Sequence, residues 1–157
     1  MNIYAIIIIV LVVAMVVGPV AMIQPNRGQR RREQLRGYAQ RKGLSVRILP
    51  LPQLPTDAQA PGAMPVYSLV SDTPQTTRWT LMRARYAHES HLASWWLFVG
   101  QKPPEPLQRH IEGVLEMLPK GVIGLRATGR QLDIFWGETG GEQEVDQLLK
   151  CLHYLAG

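Results

Sequence analysis

A chain of 157 residues, 46% hydrophobic and 18% charged, has room for one ordered domain and excludes disordered, collagen-like and low-complexity proteins. Its single cysteine, Cys151, excludes an internal disulfide framework. The net charge of +5 does not mark a general nucleic-acid binder. Residues 24–47 hold eight bases against the one acid Glu33, a local +7, whereas residues 48–157 hold nine bases and eleven acids, a net −2.

The first 23 residues carry no charged side chain, and 3–23 reads IYAIIIIVLVVAMVVGPVAMI. At ~1.5 Å per residue that run spans roughly 31 Å, matching the ~30 Å hydrocarbon layer of a bilayer. The reading predicts an N-terminal transmembrane helix over 1–23, with Gly18-Pro19 kinking its last turn. No basic side chain precedes the apolar run, as a cleaved signal would require. Cationic residues cluster after it, which predicts a single-pass topology with the N-terminus outside and the rest in the cytoplasm. Residues 24–42 form the expected basic juxtamembrane helix, with Arg27, Arg30, Arg31, Arg32 and Arg36 on the anionic surface of the lipid bilayer. Tyr38 alone supplies no stacking platform, so nucleic acid is not the expected partner.

Residues 43–157 read as a cytoplasmic α+β domain with a mainly antiparallel sheet of about six strands and helices packed on one face. Strands are predicted over 44–49, 65–71, 77–87 and 94–100, the last so apolar that an inner position is expected. A proline-rich loop separates the first two. A helix over 104–118 carries Leu107, Ile111, Val114, Leu115 and Leu118 on one stripe, and a second over 142–155 carries Val145, Leu148, Leu149, Leu152 and Leu155. Between them, 121–127 and 131–137 form a hairpin turning at Thr128-Gly129. Consecutive strands are expected to pair.

Catalytic patterns are missing. His88-Glu89-Ser90-His91 has three-residue histidine spacing in a turn, not the four-residue spacing that puts two imidazoles on one helix face for zinc. The turn over 137–142 matches no phosphate-binding fingerprint, and its acids oppose a phosphate. Cys151 lies in a leucine stripe, an environment for a packed thiol. No cofactor or metal is expected, and an enzymatic role is not favoured. Trp95 and Trp96 must point to opposite faces if they share a strand. Together with Trp79, Arg83 and Arg85 they make a candidate partner face, because tryptophan and arginine are enriched at binding hot spots.

The layout of apolar N-terminus, Gly-Pro and arginine-rich helix resembles a group of single-pass inner-membrane proteins of proteobacteria with no assigned activity. The stretch Met22-Ile23-Gln24-Pro25-Asn26-Arg27-Gly28-Gln29-Arg30-Arg31 is also similar to the anchor boundary of the YajC family of translocase accessory subunits. These resemblances imply a location in the bacterial inner membrane and carry no activity. The resulting expectation is a non-enzymatic, membrane-anchored protein whose α+β domain binds a membrane-protein or cytoplasmic protein partner or assembles a membrane complex. The alternatives are a membrane-tethered small-ligand sensor or enzyme with a pocket near the tryptophan-rich strands, and nucleic-acid binding through the arm.

Overall fold

The computed structural model describes residues 2–22, 26–54 and 57–157, without the side chains of 19–22. The chain divides into two compact units, Met1–Glu33 and Gln34–Gly157. In the first, helix α1 covers Ile3–Met22 and shows apolar side chains such as Ile8, Leu11 and Val16 exposed. Among the described residues, no helix is long and apolar enough to cross a membrane. That finding corrects the expected transmembrane helix over 1–23 and, with it, the single-pass topology and the inner-membrane location. The expected anchor end at Ile23 and the side chain of Pro19 lie outside the described residues.

Helix α2, Arg27–Arg41, begins with a reciprocal cap. Asn26 Oδ1 accepts from Gly28 N–H at 3.4 Å, and Gln29 Oε1 accepts from Asn26 N–H at 3.2 Å, so two otherwise orphaned donors are satisfied. Gly43 at φ +90° ends it, with Leu44 N–H returning to Ala39 C=O at 3.0 Å, a left-handed stop that glycine adopts without penalty. The division of the chain falls inside this helix, so Gln34–Arg41 belong to the second unit and bury Leu35 and Ala39 there.

The second unit is an α+β domain. Its strands are β1 Ser45–Pro50, β2 Ala63–Val70, β3 Trp79–Arg83, β4 Trp96–Phe98, β5 Val122–Thr128 and β6 Gln131–Trp136. They form one antiparallel sheet in the order β1-β2-β6-β5-β3-β4. Register places Val46, Tyr67, Ile134, Leu125, Leu81 and Phe98 in one row across all six strands. Side chains alternate across a sheet, and this row meets the apolar stripes of α3, Glu105–Leu115, and α4, Glu142–Ala156, in a single core. Glu144 at the start of α4 reaches back to accept Gly141 N–H at 2.7 Å.

Two sheet expectations change. β2 and β3 do not pair, because the β5–β6 hairpin lies between them and supplies the inner strands. The apolar segment 94–100 yields only the three-residue β4, and at the edge of the sheet. It is apolar because Trp96 and Phe98 belong to the helix-side core.

The opposite face carries a polar row in which Asp133 accepts from Ser68 Oγ at 2.5 Å and from Arg126 Nη2 at 2.6 Å. Beside it, Val66, Phe135 and Met82 are also buried. Gly124 lies between them; a Cβ there would stand 2.5 Å from Met82 Sδ and 3.2 Å from Phe135 Cδ2. The proline loop approaches this side, with Leu51, Leu54 and Pro61 lining a depression shared with Met82 and Ile123.

Candidate functional site

The arginines of α2 do not share one environment. Arg27, Arg30, Arg31 and Arg32 occupy exposed positions. Arg36 forms a bidentate pair with Glu138, Nε to Oε1 at 2.6 Å and Nη2 to Oε2 at 2.9 Å, and Tyr67 donates its hydroxyl to Oε1 at 3.1 Å. Glu138 is buried and left-handed at φ +56°, a backbone state that costs a non-glycine residue of order 1–3 kcal/mol. Burial first, then the Glu138 charge, pushes the Tyr67 hydroxyl well above its ordinary pKa. The site therefore acts as a fastening of α2 to the domain.

The five residues of the expected partner face separate. Trp79 and Trp96 are core residues, 3% and 7% exposed. Trp95 is 42% exposed, and the Arg83 guanidinium lies 5.8 Å from its ring centroid, within the range of a cation–π contact. Arg85 extends almost fully into solvent, its guanidinium 3.9 Å from Asp57. Tyr86 is also exposed.

The turn between β3 and β4 creates that exposure. Ala93 and Ser94 both take positive φ, +46° and +63°. Hydrogen bonds from Ala84 N–H to Trp95 C=O at 2.7 Å, from His88 N–H to Ser94 C=O at 2.9 Å and from Leu92 N–H to Trp96 C=O at 2.7 Å hold them there. Two successive left-handed residues reverse the chain just before Trp95 and deliver Trp96 to the core and Trp95 to the surface. Strained turns that persist because their surroundings over-determine them cluster at functional sites.

Under the same turn lie two depressions. One, of about 350 Å³, is lined by Ser90, His91, Leu92, Trp96, Leu97, Phe98, Lys102 and Gln108. The other, of about 300 Å³, is lined by Leu54, Asp57, Arg85, Tyr86, His91 and Leu97. His91 and Leu97 are common to both. The Nδ1 of His91 is buried and has no hydrogen-bond partner, while its ring contacts Tyr86 and His88 at centroid distances of 5.5 Å each.

Nucleophilic or metal chemistry finds little support in the geometry. His88 Nδ1 lies 2.8 Å from Ser90 Oγ, but it also accepts Ser90's own N–H at 3.1 Å, so the contact closes a turn. Among the described residues, no three His, Cys, Asp or Glu side chains are grouped to hold a metal ion. Cys151 is fully buried on α4, and burial pushes its thiol up to about 11, which suppresses the reactive thiolate.

Sequence reading singled out Trp95, Arg83 and Arg85 but not Lys102 or Glu138. His91 drew attention only as a metal ligand. Its neighbourhood depends on the turn's backbone, which no residue type in AHESHLAS announces. Neither a protein-family model, nor a curated protein, nor a solved structure matches this chain.

Proposed function

We propose that the domain Gln34–Gly157 is a non-enzymatic docking module that receives an acidic segment of a partner protein on Trp95, Arg83, Arg85 and Tyr86. The observation that carries this reading is the tryptophan held 42% exposed by two left-handed residues, under a guanidinium 5.8 Å from its ring. Tryptophan, tyrosine and arginine are the side chains most often found at binding hot spots. An arginine already stacked on the ring has lost part of its rotamer freedom before a partner arrives, which lowers the cost of binding. Arg85 already has Asp57 at 3.9 Å, while Arg83 forms no ion pair among those described and stands over Trp95, so charge complementarity at Arg83 favours a carboxylate-bearing segment.

Photo-crosslinking in cells that make the full chain tests the proposal, with a photoreactive residue at position 95 or, as a control, at exposed Glu112 on α3. A discrete protein adduct is expected from position 95 and not from 112, and Arg83→Glu should reduce it by about tenfold through charge reversal at a hot spot. Equal labelling from both positions, or an adduct indifferent to Arg83→Glu, overturns the reading.

A further inference from the structure

We infer that the outer side of β1 takes up an extended segment of a partner protein, one with an acidic residue between two apolar ones. This edge lies on the other flank of the sheet from Trp95 and does not depend on the docking surface there. Pairing with β2 fixes which groups it presents. Leu51 N–H reaches the directly opposite Gly62 C=O at 3.2 Å, one step beyond the pair of Pro50 and Ala63. Hydrogen-bonded pairs alternate with non-hydrogen-bonded ones between antiparallel strands, so Leu49, Arg47 and Ser45 also turn their backbone groups towards β2. Val46 and Ile48 then turn both N–H and C=O outward, and Pro50 turns out its C=O. Pro50 supports that assignment, because an edge proline sits where its missing N–H would face solvent. Among the described residues, no turn, loop or cap uses the outward groups of Val46 and Ile48.

Side chains follow the same alternation. Ile48 shares the helix-side face with Val46 and is 53% exposed, a β-branched surface that an apolar neighbour would cover. Arg47 stands exposed on the opposite face and forms no ion pair among the described residues. An added strand running antiparallel, as every neighbouring pair in this sheet does, puts its hydrogen-bonded residues opposite Val46 and Ile48. The residue between them falls across from Arg47 in a non-hydrogen-bonded pair, where side chains approach most closely. An acid there meets the guanidinium directly, and opposite charges so placed stabilise a sheet. Main-chain bonds hold such a strand, and its alternate side chains select it. A second copy of β1 fits less well. Pairing Val46 with the copy's Ile48 sets Arg47 against its own equivalent, a like-charge pair. Moving on by one pair sets Val46 against Pro50, which has no N–H to return.

The test is fluorescence anisotropy of an N-terminally labelled Thr-Thr-Val-Glu-Val-Thr-amide with the full chain, alongside hydrogen–deuterium exchange of residues 45–50. Saturable binding and slowed exchange at Val46 and Ile48 are expected. Methylating the backbone nitrogen of the first valine, which faces β1, should weaken binding at least about tenfold. Methylating that of the glutamate, which faces away, should change it by less than about twofold. Lysine in place of the glutamate should weaken the peptide about fivefold, and Arg47→Glu in the protein should reverse that preference. Trp95→Ala should leave peptide binding intact, and Arg47→Glu should leave the adduct at position 95 intact, which separates the two surfaces. The inference is overturned if the two methylated peptides bind alike, if Arg47→Glu keeps the preference for glutamate, or if no saturable binding develops below about 5 mM. Tighter binding of a Ser-Val-Arg-Ile-Leu-Pro peptide overturns it in favour of a second copy.

Discussion

Cys151 shows how one side chain can tie stability to pH. It is buried in α4 with Sγ 3.6 Å from Met117 C=O, and its thiol is held up to about 11 against an ordinary 9.0. A raised folded-state pKa means that the native chain keeps a proton the unfolded chain loses. Its contribution is fully present below about pH 9 and is lost as pH rises through about 11. Urea unfolding should therefore show stability falling across this alkaline window, with a shallower fall in Cys151→Ala. A thiol reagent at pH 8 should label native protein far more slowly than unfolded protein. Tyr67, also shifted upward, adds to the decline at higher pH in both variants.

Other single residues show where sequence reading stops. The alternation that sends Trp95 and Trp96 apart is a period-2 property and could be read directly. Which of them stays outside depends on the positive φ of Ala93 and Ser94, and alanine and serine do not advertise that conformation. The turn that presents Trp95 was thus legible only as polar.

At the scale of elements, α2 is the informative case. Its charge suggested a surface helix, yet Leu35, Ala39 and Arg36 commit its second half to the domain. Tyr38 adds a hydrogen bond to Asp146 at 3.0 Å. The Arg36–Glu138 pair is asymmetric in burial, with side chains 33% and 2% exposed. Arg36→Ala should destabilise the domain by about 1–3 kcal/mol, below the ~3–5 kcal/mol of a fully buried pair because the arginine is partly solvated. Adding Glu138→Gln should recover part of that loss by removing the buried charge. Equal denaturation midpoints for Arg36→Ala and the parent would show that the pair does not fasten the helix.

The strands and the two later helices were legible because alternation and leucine spacing report burial. Strand order was not. Nothing in the alternation of β2 or β3 says that the hairpin of β5 and β6, later in the chain than both, will occupy the space between them, and the shortness of β4 follows from the turn before it.

For the molecule as a whole, the apolar core identified in the structure lies entirely within Gln34–Gly157. A chain of residues 34–157 should therefore fold by itself, with a thermal midpoint within a few degrees of the full chain. The exposed isoleucines and valines of α1 form the kind of apolar surface that promotes association. Light scattering should then show residues 34–157 as a monomer and the full chain as larger species. A disordered 34–157 product would overturn this division. The apolar opening was visible in composition, and so was its helix, which covers Ile3–Met22.

The sheet has unequal borders. At one, six residues of β1 offer backbone groups along their outer side; at the other, β4 stops after three. A further strand, from whatever source, would find a full-length template on the β1 flank and barely one turn of ladder on the other, so any lengthening of this sheet is directional and leads away from the tryptophan turn.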